Sequence, residues 1–399
     1  MFKIIWHKIL AFIKGVRYLK DSVSCAKLYL LFENIVFKIL KTVLFGRNKI
    51  ESPKSVVIYT AANLGDTICR VPAMHKIREQ YPKAKLILFT TPMSRNAVSA
   101  KSILDKTQWI DEIVVYYPDE VNSLGKAKKY FNQYKSRKFD LLINFPYVTY
   151  PVQTGIKEFL WCKWMGVKAV AGFKSDLAPF AVKPQIKEKE IPSEAVRDMN
   201  LLPFKVQDYQ PNYELGVSAE AYEYVKELLK NEKINPNKAL LLSFAGKGRA
   251  KYWSIESFKE IINRWIDLGK IPVVIGGSGE LEEAETSFGD IEGCKILCGM
   301  TTLEQSFALI DIVGKVLTID TGTAHQASAM NAKCITLMCA RDVPGLWHPY
   351  GENNYTIRKK LPCAPCFCSK EGCPYGNPSK CMEAITVDEV WEKMMEVFL

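Results

Sequence analysis

Asp320, Thr321 and Gly322 follow the short run 317–319 and lead into the Ala-rich stretch from Ala324 to Ala329. That order predicts a buried strand ending at a helix N-terminus, with Asp320 or Thr321 as the cap and Gly322 letting a ligand approach the backbone. The first N–H groups of such a helix lack internal partners and sit at the positive end of its dipole, so the junction can hold an anion, phosphate above all. An ordinary capped helix has the same fragment. The rest of the chain has to separate the two readings.

Three more junctions carry residues suited to chemistry. Ser243 to Ser254 sets Lys247, Arg249 and Lys251 among small residues, the composition that wraps a phosphate and neutralises it, or else a solvated basic loop. Gly276-Gly277-Ser278-Gly279-Glu280 places an acid within reach of a ribose hydroxyl, although an acid also favours any helix N-terminus. Tyr59 to Ile68 puts Asp66 at the turn after a strand, as a proton acceptor or as a helix cap. This turn is not G-x-G-x-x-G, so a dinucleotide fingerprint is unsupported. His325 serves equally as a packed helix residue, and His75 and His348 suggest no role.

These junctions need a scaffold, and the chain supplies one. After Pro53, strands are expected at Ser55 to Thr60, Leu86 to Thr90, Ile113 to Tyr116, Phe139 to Phe145 and Ala169 to Phe173, with helices between them at 66–80, 122–136 and 153–165. The alternation lapses over 174–215, where Pro179, Pro184, Pro192, Pro203 and Pro211 fall, and a linker is placed near 208–214. It resumes with strands at 239–245, 271–276, 294–297, 315–319 and 334–339 and helices at 254–268, 280–288, 303–312 and 321–330. Strands that are hydrophobic throughout and alternate with helices imply parallel sheets covered on both faces, with ligands beyond the carboxyl ends of the strands. The fold class is α/β, with two Rossmann-like doubly wound domains facing a cleft. The expected divisions are a helical segment 1–50, a first domain 51–207, a second domain 208–385 and a closing helix 386–399.

The 399 residues are 48% hydrophobic and 24% charged, and the net charge is +11. Ten Lys and Arg against Asp21 and Glu33 give residues 1–50 a net +8, so the body of the chain is nearly neutral. One basic arm on a neutral body does not suit a nucleic-acid groove. The arm is also apolar, at Ile4 to Ile13 and again at Leu28 to Phe45, but Glu33, Asn34, Lys38 and Lys41 interrupt the second run. It is too polar for a span of ~20 apolar residues and lacks a signal-peptide cleavage site. A basic amphipathic helix lying on an anionic membrane is expected, or a helical pair packed on the protein itself.

In this order and spacing, Leu64-Gly65-Asp66 with Pro72-Ala73, Lys251-x-Trp253, Gly276-Gly277 with Glu280, Gly299-x-Thr301-x-Leu303 and Asp320-Thr321-Gly322-x-x-His325 resemble glycosyltransferase family 9, the ADP-heptose:lipopolysaccharide heptosyltransferases. The resemblance covers roughly residues 55 to 395. It implies a GT-B enzyme that inverts the anomeric centre without a bound metal or catalytic cofactor and moves a sugar from a nucleotide-diphosphate donor, ADP-heptose foremost, to a lipopolysaccharide core or related glycolipid. Such work belongs at the cytoplasmic face of the cell membrane. By the same resemblance Asp66 is the general base and Lys251 holds the diphosphate together with the amides of Thr321 and Gly322. Asp320 lies near the donor sugar with His325 nearby, Glu280 or a neighbouring acid meets the ribose, and the backbone around Met300 and Thr301 meets the nucleobase. Ala245-Gly246-Lys247-Gly248-Arg249 departs from the family's usual loop, which brings Lys247 forward as a second phosphate ligand. Another GT-B activity with a UDP-hexose or UDP-N-acetylhexosamine donor is the alternative, as is a relative that binds nucleotide sugars without turnover. In GT-B folds the last helix crosses back to the first domain, so Val387 to Phe398 is expected to bridge the hinge.

Five of the twelve cysteines, Cys363, Cys366, Cys368, Cys373 and Cys381, crowd into 363–381. This density suits a structural zinc site at Cys363, Cys366, Cys373 and Cys381, or a set of reduced thiols, better than disulfides.

Overall fold

The computed structural model describes residues 23–46, 50–92, 94–95, 97–146, 152–174, 190–366, 368, 372–373, 376 and 379–399, without the side chains of 23–29. The first segment of the arm, Ile4 to Ile13, lies outside the described residues.

The strand-helix alternation folds into two parallel sheets. The first holds β1 (Ser55–Ala61), β2 (Lys85–Thr91), β3 (Glu112–Val115), β4 (Leu141–Phe145) and β5 (Ala169–Ala171) in the order β3-β2-β1-β4-β5. Val56 of the central strand is in register with Leu86 on one side and Leu141 on the other. Successive β1 residues belong to different cores, Val56 and Ile58 to one face and Val57 and Tyr59 to the other. Burial on both faces explains why these strands read as unbroken apolar runs. The helices around this sheet are α1 (Val23–Phe45), α2 (Leu64–Gln80), α3 (Leu124–Asn132), α4 (Val152–Trp164) and α5 (Glu194–Asn200). Residues of α2 and α5 cover the Val56 face, and residues of α1, α3 and α4 cover the Val57 face.

In sequence, α6 (Ala219–Asn231) comes between the strands of the two sheets, its N-terminus capped by Ser218 accepting from the Ala221 amide at 3.4 Å. The second sheet contains β6 (Ala239–Ser243), β7 (Ile271–Val274), β8 (Lys295–Ile296), β9 (Lys315–Ile319), β10 (Lys333–Met338) and β11 (Asn354–Arg358) in the order β11-β10-β9-β6-β7-β8. Its helices are α7 (Ile255–Asp267), α8 (Leu281–Phe288), α9 (Leu303–Val313), α10 (Gly322–Ala329) and α11 (Val387–Phe398). Leu240 and Leu242 face α7, α8 and α11, while Ala239 and Leu241 face α6, α9 and α10.

Helix α6 was not foreseen, and two further features differ from the sequence expectations. β11 extends the sheet past β10 at an edge where no strand was foreseen. The closing helix does not bridge to the first sheet with its apolar face: Val390, Met394, Val397 and Phe398 all enter the second sheet's core beside Trp265. Lys333 fixes the end of that helix by donating to the Val397 carbonyl at 2.7 Å. The two halves meet instead through α10, which packs on α2, and through Phe307 of α9, which enters the core on the Val56 face.

Candidate functional site

The turn after β1 and the turn after β9 face each other, so the N-termini of α2 and α10 converge. Asn63 is extended and starts α2, and its backbone N–H donates to Asp66 Oδ2 at 3.0 Å. Asp66 is thus the acid of a capping-box arrangement at the third helical position, not the cap residue itself. Its helix dipole also favours the carboxylate there.

Two glycines allow the close approach. A Cβ on Gly322 would lie 2.9 Å from Leu64 Cδ2, and one on Gly65 would lie 3.1 Å from His325 Cδ2. The Leu64-Gly65 step therefore rests directly on the start of α10. His325 is buried and its Nδ1 lies 3.4 Å from Cys69 Sγ on α2. Burial holds its pKa below the ordinary histidine value, with Asp320 and Asp66 pulling the other way, so the ring is neutral at pH 7. The burial and the Cys69 contact make His325 part of the joint between the sheets.

Lys251 and Asp320 form the polar centre of the second half. Lys251 Nζ lies 2.7 Å from Asp320 Oδ2 and donates to the Asp320 carbonyl at 3.2 Å. The loop carrying Lys251 is anchored on three sides. Trp253 is buried and donates to the Ile385 carbonyl at 2.9 Å, Ser379 donates to the Ala250 carbonyl at 2.8 Å, and the Tyr252 hydroxyl donates to the Gly246 carbonyl at 3.1 Å. Gly246 lies so close to Thr321 that a Cβ would come within 2.5 Å of its methyl. Lys247 is exposed at the rim and makes no ion pair among the described residues.

The other expected donor-site residues sit at neighbouring strand ends. Glu280 folds back so that its carboxylate accepts from the Gly277 amide. Met300 has its backbone occupied, the N–H donating to the Leu297 carbonyl at 3.1 Å and the carbonyl accepting from the Tyr224 hydroxyl at 2.8 Å. Its side chain is 39% exposed, so that side chain and Thr301 are what this edge offers a ligand.

Sequence reasoning missed two groups. Past β10, Arg341 Nε lies 3.4 Å from Asp342 Oδ2, and Arg358 at the end of β11 donates to the Asp342 carbonyl at 3.2 Å. Burial raises the Asp342 pKa, against Arg341, and the charges of Asp320 and Lys251 also reach it. Nothing in the local pattern marks this pair, because β11 is short and polar. The second group centres on Arg70, one turn beyond Asp66 on α2. Its guanidinium donates to the Ala61 carbonyl at 2.7 Å and pairs with Asp198 at 3.5 Å and Glu194 at 4.0 Å, all buried. The same segment holds the far half, since Ile191 N donates to Pro344 O at 3.0 Å and Glu194 N to Leu346 O at 2.9 Å. Arg70 therefore ties the β1–α2 turn to the loop after β10.

Among the described residues no group of three or more His, Cys, Asp or Glu could hold a metal ion. The zinc site expected at Cys363, Cys366, Cys373 and Cys381 is not supported. Cys381 turns away to Cys339, with their sulfurs 3.7 Å apart, and accepts from the Ala340 amide at 3.4 Å. The hydrogen bond with Cys339 holds the Cys381 thiol below its ordinary pKa. A cavity of about 380 Å³ lined by Lys101, Ile103, Lys106, Leu215 and Phe307 contains none of the site residues. The converging strand ends are the better candidate, because there the charges and helix termini meet. There Leu64 rests on Gly322 and Lys251 pairs with Asp320.

The fold has known counterparts. Residues 133–377 match the family model described as glycosyltransferase family 9 (heptosyltransferase). The chain is 24% identical over 300 residues to the lipopolysaccharide core heptosyltransferase OpsX of Haemophilus influenzae, across 72% of this chain and 79% of that protein. Its structure matches a family 9 glycosyl transferase from Veillonella parvula with a TM-score of 0.69 at 17% identity, covering 88% of this chain and 99% of that one. The E. coli heptosyltransferase WaaC with ADP matches with a TM-score of 0.59 at 17% identity, covering 86% and 99%. The fold is thus the GT-B arrangement, and the chain belongs to glycosyltransferase family 9, the heptosyltransferases, as a glycosyltransferase.

Proposed function

We propose that this enzyme transfers heptose from ADP-heptose to a lipopolysaccharide core or related glycolipid, in one inverting displacement that needs no metal, at the cytoplasmic face of the cell membrane. The observation that carries the reading is the Lys251–Asp320 pair at 2.7 Å, set opposite the α2 N-terminus with Asp66. The relatives support the substrates: OpsX is a lipopolysaccharide core heptosyltransferase, and WaaC is described with ADP.

Asp66 takes the proton from the acceptor hydroxyl as that oxygen attacks the anomeric carbon. The bond from that carbon to the donor's diphosphate oxygen breaks on the opposite side, and the nucleoside diphosphate leaves with the bonding pair. Lys251 exchanges Asp320 for the diphosphate, and the N-terminal amides of α10 at Thr321 and Gly322 share the charge. Lys247 reaches the same phosphates from the rim. A lysine with a helix N-terminus offers the positive field that Mg²⁺ offers elsewhere. Asp320, once released, is free to accept from a sugar hydroxyl, while Glu280 and the Met300–Thr301 edge meet the nucleoside. His325 holds α10 against α2 beside the donor sugar.

The test is product formation from purified enzyme with ADP-heptose and with UDP-hexoses, the anomeric configuration being read by NMR. Inverted heptoside from ADP-heptose alone is expected. Transfer only from a UDP-sugar, or retention of configuration, would overturn the proposal.

A further inference from the structure

Helix α1 holds a row of large apolar side chains in solvent. Leu31, Ile35, Ile39 and Val43 are 57%, 47%, 56% and 74% exposed. A spacing of four residues sets them one per turn along a single side of the helix. The opposite side is locked to the protein. Phe37 fills the notch left by Gly155 on α4, where a Cβ would lie 2.3 Å from its ring, and Phe37 and Phe45 both pack on Phe159. Lys163 of α4 donates to the Leu44 carbonyl at 2.9 Å and fixes the end of the helix. The apolar row is therefore held outward by the fold.

Among the described residues, the exposed charges that this helix itself carries are of one sign. Glu33, the acid of this helix, is buried, while Lys38 and Lys41 are exposed along one edge of the row. Thr42, between the row and the lysines, turns its hydroxyl back to the Lys38 carbonyl at 2.9 Å. Residues 1–50 carry a net +8. Among the described residues no helix is long and apolar enough to cross a membrane.

We propose that α1 lies flat on an anionic lipid surface, with Leu31, Ile35, Ile39 and Val43 among the acyl chains and Lys38 and Lys41 at the headgroups. An apolar row edged by cations fits that surface from both terms, burial and charge. A second copy of the same face would instead set lysines against lysines. The proposal deepens the sugar-transfer reading by naming how the enzyme meets a lipid-borne acceptor, and it rests on that reading only for its purpose.

The full chain is sedimented with vesicles of phosphatidylglycerol and phosphatidylcholine, and with phosphatidylcholine alone. The variant Leu31→Gln, Ile35→Gln, Ile39→Gln, Val43→Gln is compared with the parent. Expected are binding to the anionic vesicles only, at least tenfold weaker binding by the variant, and an unchanged melting temperature and ADP affinity, since the four side chains already face water. Undiminished vesicle binding by the variant would overturn the proposal, as would equal binding to neutral vesicles. A lower melting temperature or a changed oligomeric state in the variant would show that protein, not lipid, covers the row. Transfer to a lipid-free acceptor fragment does not involve these residues, so the vesicle result stands or falls apart from the catalytic reading.

Discussion

Lys251 Nζ sits 2.7 Å from Asp320 Oδ2, so the cation assigned to the leaving diphosphate is held by a carboxylate. Asp320 is 6% exposed, and a buried carboxylate needs that partner or a replacement for it. Lys251→Met should lower kcat by about 10²–10³, the scale of losing one donor to a developing charge, and should weaken ADP binding. Asp320→Asn should lower kcat while ADP affinity holds or rises, because the lysine no longer has a competing partner. Steady-state kinetics with ADP calorimetry separates the two. Equal loss of ADP affinity in both variants would contradict the exchange.

The closeness of Gly322 to Leu64 makes a coupled pair. Gly322→Ala places a methyl 2.9 Å from Leu64 Cδ2, the far end of a flexible side chain. Turnover should fall several-fold, and adding Leu64→Ala should recover part of the loss. A double-mutant cycle on kcat/KM reads the coupling, and strict additivity would mean that the two residues act apart.

Arg70 is expected to be structural first. Its removal as Arg70→Ala leaves Glu194 and Asp198 buried with one cation fewer, and breaking such a network costs about 3–5 kcal/mol. The triple variant Arg70→Met, Glu194→Gln, Asp198→Asn should regain part of that stability. Urea unfolding decides. A loss under about 1 kcal/mol for Arg70→Ala would place the network in solvent.

His75 should make the fold sensitive to acid. Burial lowers its pKa to about 4, with Lys76 adding to the effect, and the ring packs on Trp109 at 4.0 Å between centroids. The unfolded histidine titrates near 6.5 and binds its proton before the folded one does. The stability tied to the neutral ring is therefore full above pH ~6.5 and lost as pH falls toward ~4, an amount on the order of 1–3 kcal/mol. His75→Leu should flatten the pH dependence of unfolding between pH 7 and 4.5. An unchanged slope would assign the acid sensitivity elsewhere.

The sequence showed the scaffold where burial writes the pattern. β1 and β9 are apolar because both faces are covered, and Gly65 and Gly322 mark places where another backbone or side chain comes close. β11 was hidden because Asn354-Tyr355-Thr356-Ile357-Arg358 lies at an edge and needs little apolar surface. α6 carried its signal openly, with Ser218 as cap and Val225 and Leu228 buried, yet it precedes a strand and so falls outside the alternation. Lys251, Asp320 and Asp66 were singled out by type and spacing, and the structure brings them to the facing strand ends. That Lys251 and Asp320 bind each other, and that His325 pairs with Cys69 across 256 residues, follows only from how the two sheets meet. The closing helix was misplaced because its apolar face cannot state which core it enters.

The proposed role of Asp66 as the base is read by single-turnover transfer from ADP-heptose to the purified acceptor with Asp66→Asn, alongside ADP calorimetry and the melting temperature. The expected result is a loss of at least about 10²–10⁴ in the transfer rate, the range for losing a positioned general base, with ADP affinity within twofold and the fold intact. Turnover within tenfold of the parent would remove Asp66 from the chemistry and leave it as the acid that closes the first turn of α2.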